Sequence, residues 1–122
     1  MKVDLHSFLP LSPAALHILL SLAGEDLHGY GIMQEVARQS EGKYKLGPGT
    51  LYDNLQKLIR REWLEELGQR ANDDDPRRRY YRLTLAGRRV LEAEIARLAE
   101  VVHEARTRLR MVRPSTAKPR RA

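Results

Sequence analysis

Apolar residues recur along this chain in distinct rhythms, and each rhythm predicts an element. The clearest lies in Leu46 to Trp63, LGPGTLYDNLQKLIRREW, where Leu51, Leu55, Leu58 and Ile59 return at spacings of four and three. That period gives a helix one inward, apolar face. Pro48 pre-sets a helical φ, with Gly49 or Thr50 as the expected cap. The opposite face carries Thr50, Asp53, Asn54, Lys57, Arg60 and Arg61, with Tyr52 and Gln56 at its flank and Lys43 and Lys45 just upstream. A short helix with an apolar back and a polar, basic front fits a DNA major groove. A surface helix charged only for solubility has the same pattern, so the neighbouring elements must decide.

Upstream, Ser12-Pro13 reads as an N-cap followed by the first helical position. Leu16, Leu19, Leu20 and Ala23 then mark an inward stripe that Gly24 ends. Residues 1–11 form an N-terminal arm whose Leu5, Phe8 and Leu9 either fold back on the core or stay mobile. After Leu27-His28-Gly29-Tyr30-Gly31, the spacing of Ile32 or Met33 with Val36 or Ala37 predicts a second helix of about three turns. Glu41-Gly42 breaks it, and Lys43 to Pro48 connect to the polar-fronted helix. Two short helices joined this way have the helix-turn-helix layout.

Downstream the period changes to two. Leu64 to Gly68 reads as a strand, Gln69 to Pro76 as a turn, and Arg77 to Thr84 as the returning strand. Tyr81, Leu83 and Leu85 share one face, and Arg78, Tyr80 and Arg82 the other. A hairpin directly after the third helix, with Arg77, Arg78 and Arg79 at its tip, is the position of a wing. Thr84 then caps a long helix in which Leu91, Ile95, Leu98, Val102, Ala105 and Leu109 repeat at four and three. Such a strict heptad seam is narrower than the face a globular core takes, and it predicts pairing with a second copy. The alternative is a helix that packs back on its own domain.

The predicted fold class is mainly α with a small β-hairpin (α+β). A winged helix-turn-helix occupies residues 12–84, a dimerisation helix 85–110 and a basic, disordered tail 111–122. Composition refines this only in part. The net charge of +6 looks like a nucleic-acid signal, but residues 103–122 hold seven Lys or Arg against Glu104 and carry all of it. The other 102 residues balance, so the inference rests on the clusters at 43–61 and 77–82. There is no cysteine, which excludes disulfides and thiolate metal sites and suits an intracellular, cytoplasmic setting. The apolar stretch Ala14 to Ala23 is too short to span a bilayer. His6, His17, His28 and His103 lack ligand spacing, Gly47-Pro48-Gly49 lacks a phosphate-loop pattern, and no nucleophile has an activating context. Neither a metal, a cofactor nor an enzymatic activity is expected. Trp63 is expected at the junction of helix and hairpin.

The segments LHGYGI (27–32), GTLYDNLQKL (49–58), RREWLEE (60–66) and RRRYYRLTLAGRRVL (77–91) together resemble the PadR family of bacterial transcriptional regulators. The resemblance covers residues 13 to about 109, and the single helix after the wing is similar to the family's smaller subgroup. It implies a homodimeric winged-helix protein that binds a palindromic operator, usually as a repressor released by a small molecule. It also implies DNA contact by Tyr52, with Gly49 and Thr50 in the helix's N-terminal turn and Lys57 among its basic positions. One departure is the wing tip, where Asn72-Asp73-Asp74-Asp75 puts acid opposite phosphate. Wing contact therefore falls to Arg77, Arg78 and Arg79, with Arg70 secondary. Another is the terminal helix, which has no aromatic residue to stack a planar ligand between protomers. Asp53, Asn54 and Gln56 are the candidates for base discrimination. The competing functional reading is a winged-helix module that docks an acidic protein and holds DNA only nonspecifically.

Overall fold

The computed structural model describes residues 5–68 and 78–111. A 3₁₀ turn (Leu5–Phe8) leads into α1 (Pro13–Ser21), β1 (Leu27–His28), α2 (Gly29–Gln39) and α3 (Pro48–Arg60). The strands β2 (Leu64–Leu67) and β3 (Tyr80–Leu83) follow, and α4 (Leu85–Met111) closes the order. The sheet has three antiparallel strands in the order β1-β3-β2, one more than the expected hairpin. The extra strand pairs Leu27 with Tyr81 and His28 with Tyr80. Two residues are too few to show an alternation, so only the partner strand defines this one. The expectations for Arg70, Arg77, the acidic wing tip and the tail beyond Met111 fall outside the described residues.

The helix starts follow from local chemistry. At α1 the Ala15 N–H donates to Ser12 Oγ at 3.1 Å, as the Ser-Pro pair predicts. At α3 the cap is Gly47, not Gly49 or Thr50, because Pro48 itself takes the first helical position and the cap must precede it. His28 caps α2, its Nδ1 accepting from the Gly31 N–H at 3.0 Å. The α2–α3 connection turns through Glu41 and Gly42 at φ 54° and 76°. Ser40 braces it, donating to the Val36 carbonyl and accepting from the Tyr44 N–H, each at 3.0 Å.

The core sits where α1, α2, α3 and the start of α4 meet the sheet. Leu51, Leu55 and Leu58 of α3 are buried there, as their spacing requires, with Ile32 and Val36 of α2. On α1 the inward stripe is Ala15, Ile18, Leu19 and Leu22, with Leu16 half-buried and Leu20 exposed. This is the expected template moved one residue earlier: small Ala14 and Ala15 let α1 approach its neighbours. Tyr81 and Leu83 point inward, but Leu85 is exposed, since it opens α4 and does not continue the strand. The turn between them is held by Thr84, whose Oγ1 donates to the Glu62 carbonyl at 2.6 Å and accepts from the Gly87 N–H at 3.0 Å.

The N-terminal segment folds back. Leu5, Phe8 and Leu9 pack on the core, and the Leu11 N–H donates to Glu94 Oε2 at 2.9 Å. Glu94 is only 1% exposed and also accepts from Arg97 Nε and Nη2 at 2.6 and 3.0 Å. The Arg97 hydrogen bond holds its carboxyl below the ordinary 4.5; burial pushes the other way, and the Leu11 N–H adds to the lowering. A carboxylate lowered in the fold stabilises at pH above its unfolded value, and that stability is lost as pH falls through the folded one. Glu94→Gln is therefore expected to cost about 1–3 kcal/mol at neutral pH and to flatten the acid limb of the stability curve. Urea midpoints measured from neutral pH down to the carboxylate range check this. Parallel wild-type and variant curves would remove the linkage.

Candidate nucleic-acid interface

The geometry of α3 is that of a rod with its back in the core. Gly49, Thr50, Tyr52, Asp53, Gln56, Lys57 and Arg60 are all exposed, as are Lys43 and Lys45 in the preceding connection. Asp53 pairs with Lys57 one turn later, Oδ2 to Nζ at 3.3 Å. An exposed pair of this kind is weak, so either partner can exchange it for an outside contact. Asn54 is half-buried on one flank, and its Nδ2 donates to the Thr50 carbonyl at 2.9 Å. It therefore sits to the side of the front that Asp53 and Gln56 share.

Tyr52 leaves the helix on the other flank, and there two separately predicted clusters meet. A cleft of about 500 Å³ is walled by Tyr52 of α3, Arg78 and Arg79 before β3, Tyr81 within it, and His28, Gly29 and Tyr30 at the head of α2. Arg78 and Arg79 are exposed, and none of the described residues lining the cleft is acidic. Burial, chiefly, pushes the Tyr81 phenol up to about 12, with Glu66 and then Tyr52 adding to the rise, so it stays a neutral donor at ordinary pH. Gly29 explains how Tyr52 comes so near: a Cβ there would lie 2.4 Å from the Tyr52 hydroxyl oxygen. The Gly in LHGYGI thus makes room for a side chain of the next helix.

One arginine on this surface is committed to the fold. Arg82 is bound to Asp26 through Nε and Nη2 at 3.2 and 2.9 Å, with Glu65 at 3.9 Å, and so ties β3 to the α1–β1 connection. Its alternation with Arg78 gave no sign of this, because Asp26 is distant in sequence. Among the described residues there is no group of three or more side chains suited to a metal ion. No described helix is long and apolar enough to cross a membrane.

The seam on α4 divides in two. Leu91, its expected first member, is 4% exposed and belongs to the chain's own core. Ile95, Val102, Ala105 and Leu109 are exposed and Leu98 is half-buried; no described residue after Glu94 is fully buried. Val101 and Met111 add exposed apolar surface nearby.

Residues 18–93, which span α1 to the early turns of α4, match the Transcriptional regulator PadR-like family. The chain belongs to the PadR-like family. It is 36% identical over 89 residues to the transcriptional regulator Rv3488 of Mycobacterium tuberculosis, covering 73% of this chain and 78% of that one. Its backbone is similar to a PadR family transcription regulator from Clostridium difficile, with a TM-score of 0.69, 21% identity, and 80% and 99% of the two chains covered. It is also similar to Bacillus subtilis PadR, crystallised with operator DNA, with a TM-score of 0.61 and 20% identity over 70% of this chain and 47% of that one. The fold of this PadR-like protein is accordingly a winged helix carrying a long C-terminal helix. Two residues escaped the sequence pattern: the helix cap His28 and the buried Glu94. His28 is a rare cap residue bonding Gly31 three positions on, and Glu94 takes a partner from Leu11, far away in sequence.

Proposed function

We propose that this PadR-like protein is a sequence-specific DNA-binding transcriptional regulator. It acts as a homodimer on a palindromic operator, as a cytoplasmic repressor released by a small-molecule effector of the kind the family resemblance implies. The observation that carries the reading is the meeting of Tyr52 with Arg78 and Arg79 on one flank of α3. An exposed polar helix front beside a cleft walled by two arginines suits a rod in the major groove with a wing on the adjoining backbone. Gln56 and Asp53 are placed to read bases; Tyr52, Lys57, Arg60, Arg78 and Arg79 hold register on phosphates, with Lys43, Lys45, Gly49 and Thr50 at the entry to the helix. Two copies joined along the outer part of α4 would set paired recognition helices about 34–36 Å apart on one side of the duplex.

A salt-titrated gel-shift assay on the DNA upstream of the protein's own coding sequence tests this. Specific retention with a steep salt dependence is expected. Binding no tighter than to random duplex would favour the protein-docking module instead. Gly29→Ala sharpens the test: its Cβ displaces a flexible hydroxyl end, so thermal stability should change little. With Tyr52 pushed from its place, operator affinity should fall roughly tenfold, about 1.4 kcal/mol. Unchanged affinity would show that Tyr52 makes no contact that matters.

A further inference from the structure

A second groove lies on the opposite flank of α3 from the wing. Its cavity, of about 340 Å³, is formed by the folded-back N-terminal segment, the start of α1 and the outer edge of α3. Lys57 and Arg61 line it, and none of its described lining residues is Asp or Glu. The guanidinium of Arg61 lies 5.3 Å from the Phe8 ring centroid and 5.1 Å from that of Trp63. Those two rings meet edge to face at 5.1 Å, and Trp63 is buried, so they form a fixed platform. Arg38, Arg82, Arg97 and Arg108 each hold a carboxylate. Arg61 holds none among the described residues: its contacts are with the two rings, and a guanidinium carries five N–H donors that rings do not satisfy as an anion would. Beside it, Ser12 Oγ accepts from the Ala15 N–H, which leaves the hydroxyl proton free to donate.

The duplex supplies the missing anion. A major groove about 12 Å wide admits a helix about 10–12 Å across, so a phosphate backbone runs along each flank of the helix. On α3 the wing cleft serves one flank and this groove serves the other. We propose that the groove between the N-terminal segment and α3 is a backbone-phosphate site for the strand opposite the wing, with Arg61 as its principal ligand and Lys57 and Ser12 beside it. This rests on the reading of α3 as a recognition helix. It gives the N-terminal segment a purpose beyond covering the core, because Phe8 aims the guanidinium. The segment is in turn anchored to α4 through Leu11 and Glu94.

The test uses the full-length protein and the duplex it protects, with methylphosphonate replacing one phosphate at a time on each strand. Arg61→Ala should weaken binding by roughly fivefold or more at low salt and lower the salt slope by about one unit. Arg61→Lys should restore the slope but not the full affinity, since a lysine keeps the charge without the stacked, planar fork. The loss from Arg61→Ala should vanish at one methylphosphonate position, on the strand opposite the position that couples to Arg79→Ala. An unchanged slope, coupling on the wing's own strand, or a loss that merely follows a fallen melting temperature would each overturn the site. If Arg79→Ala lowers the slope and Arg61→Ala does not, the phosphate site is wrong and the DNA-binding reading stands. If neither does and binding is nonspecific, the functional reading falls and takes this site with it.

Discussion

Gly87→Ala should cost about 3 kcal/mol of stability, which for a domain of this size lowers the melting temperature by roughly 10–20 °C. A Cβ at this position would lie 2.1 Å from the Trp63 carbonyl oxygen, 2.9 Å from the carbon of that carbonyl and 2.8 Å from Leu83 Cδ1. Two of these atoms are backbone, so no side-chain rotation relieves the clash. The same Trp63 carbonyl accepts the Thr84 N–H at 3.0 Å, and Thr84 in turn caps α4 on the Gly87 N–H. The first turn of α4 is thereby pressed onto the end of α3 and the start of the sheet. This is the physical content of the YYRLT-x-x-G pattern: threonine caps, and glycine lets the capped turn come close. Thermal denaturation of the variant decides it. A shift of only a degree or two would mean that the close approach is not what holds α4 in place.

Val102→Glu should convert the protein to a monomer and abolish operator binding at concentrations where the wild type is fully bound. Val102 is 46% exposed in the single chain and lies between Ile95, Leu98, Ala105 and Leu109 on one stripe of α4. With two copies paired along this seam, as proposed above, a carboxylate here would meet its own copy across a two-fold interface, uncompensated and desolvated. Each half-site contact alone is weak, so loss of the pair removes the gain from tethering two recognition helices, typically 10²–10⁴-fold. Sedimentation of both proteins, with circular dichroism to show that the helices persist, tests the first half; a gel shift tests the second. A variant that stays dimeric would move the interface elsewhere. A variant that becomes monomeric but binds DNA as before would sever dimerisation from function.

Helix identities were legible wherever the apolar period was long and well punctuated. Ser12-Pro13, the Leu51-Leu55-Leu58 repeat and the Thr84 cap each carry their own local signal, and each is found in the fold. The stripe on α1 was misplaced by one residue because that helix is apolar on several sides, so its period is shallow. Strand β1 was missed because a pair of residues has no period. Leu91, the first residue of the apolar seam, lies in the chain's own core, and sequence spacing alone does not distinguish a partner from the same chain. Among the site residues, the exposed front of α3 was predicted correctly as a face. The separate destinations of Tyr52 and Arg61, on opposite flanks, were not.

The chain's own pattern was enough to establish the order of the four helices and the β2–β3 hairpin, the polar front of α3, the apolar seam of α4 and the resemblance to PadR regulators. The first three follow from periodicity and caps, which act between residues a few positions apart; the resemblance rests on whole segments such as GTLYDNLQKL and RRRYYRLTLAGRRVL. Tertiary structure alone decided where the cations sit and which carboxylates some of them hold. It tied Arg82 to Asp26, buried Glu94 beneath the N-terminal segment, brought Arg78 and Arg79 to Tyr52, and seated Arg61 on Phe8 and Trp63. Charge availability depends on partners brought near by folding. A sequence read locally records that a cation is present but not what already neutralises it.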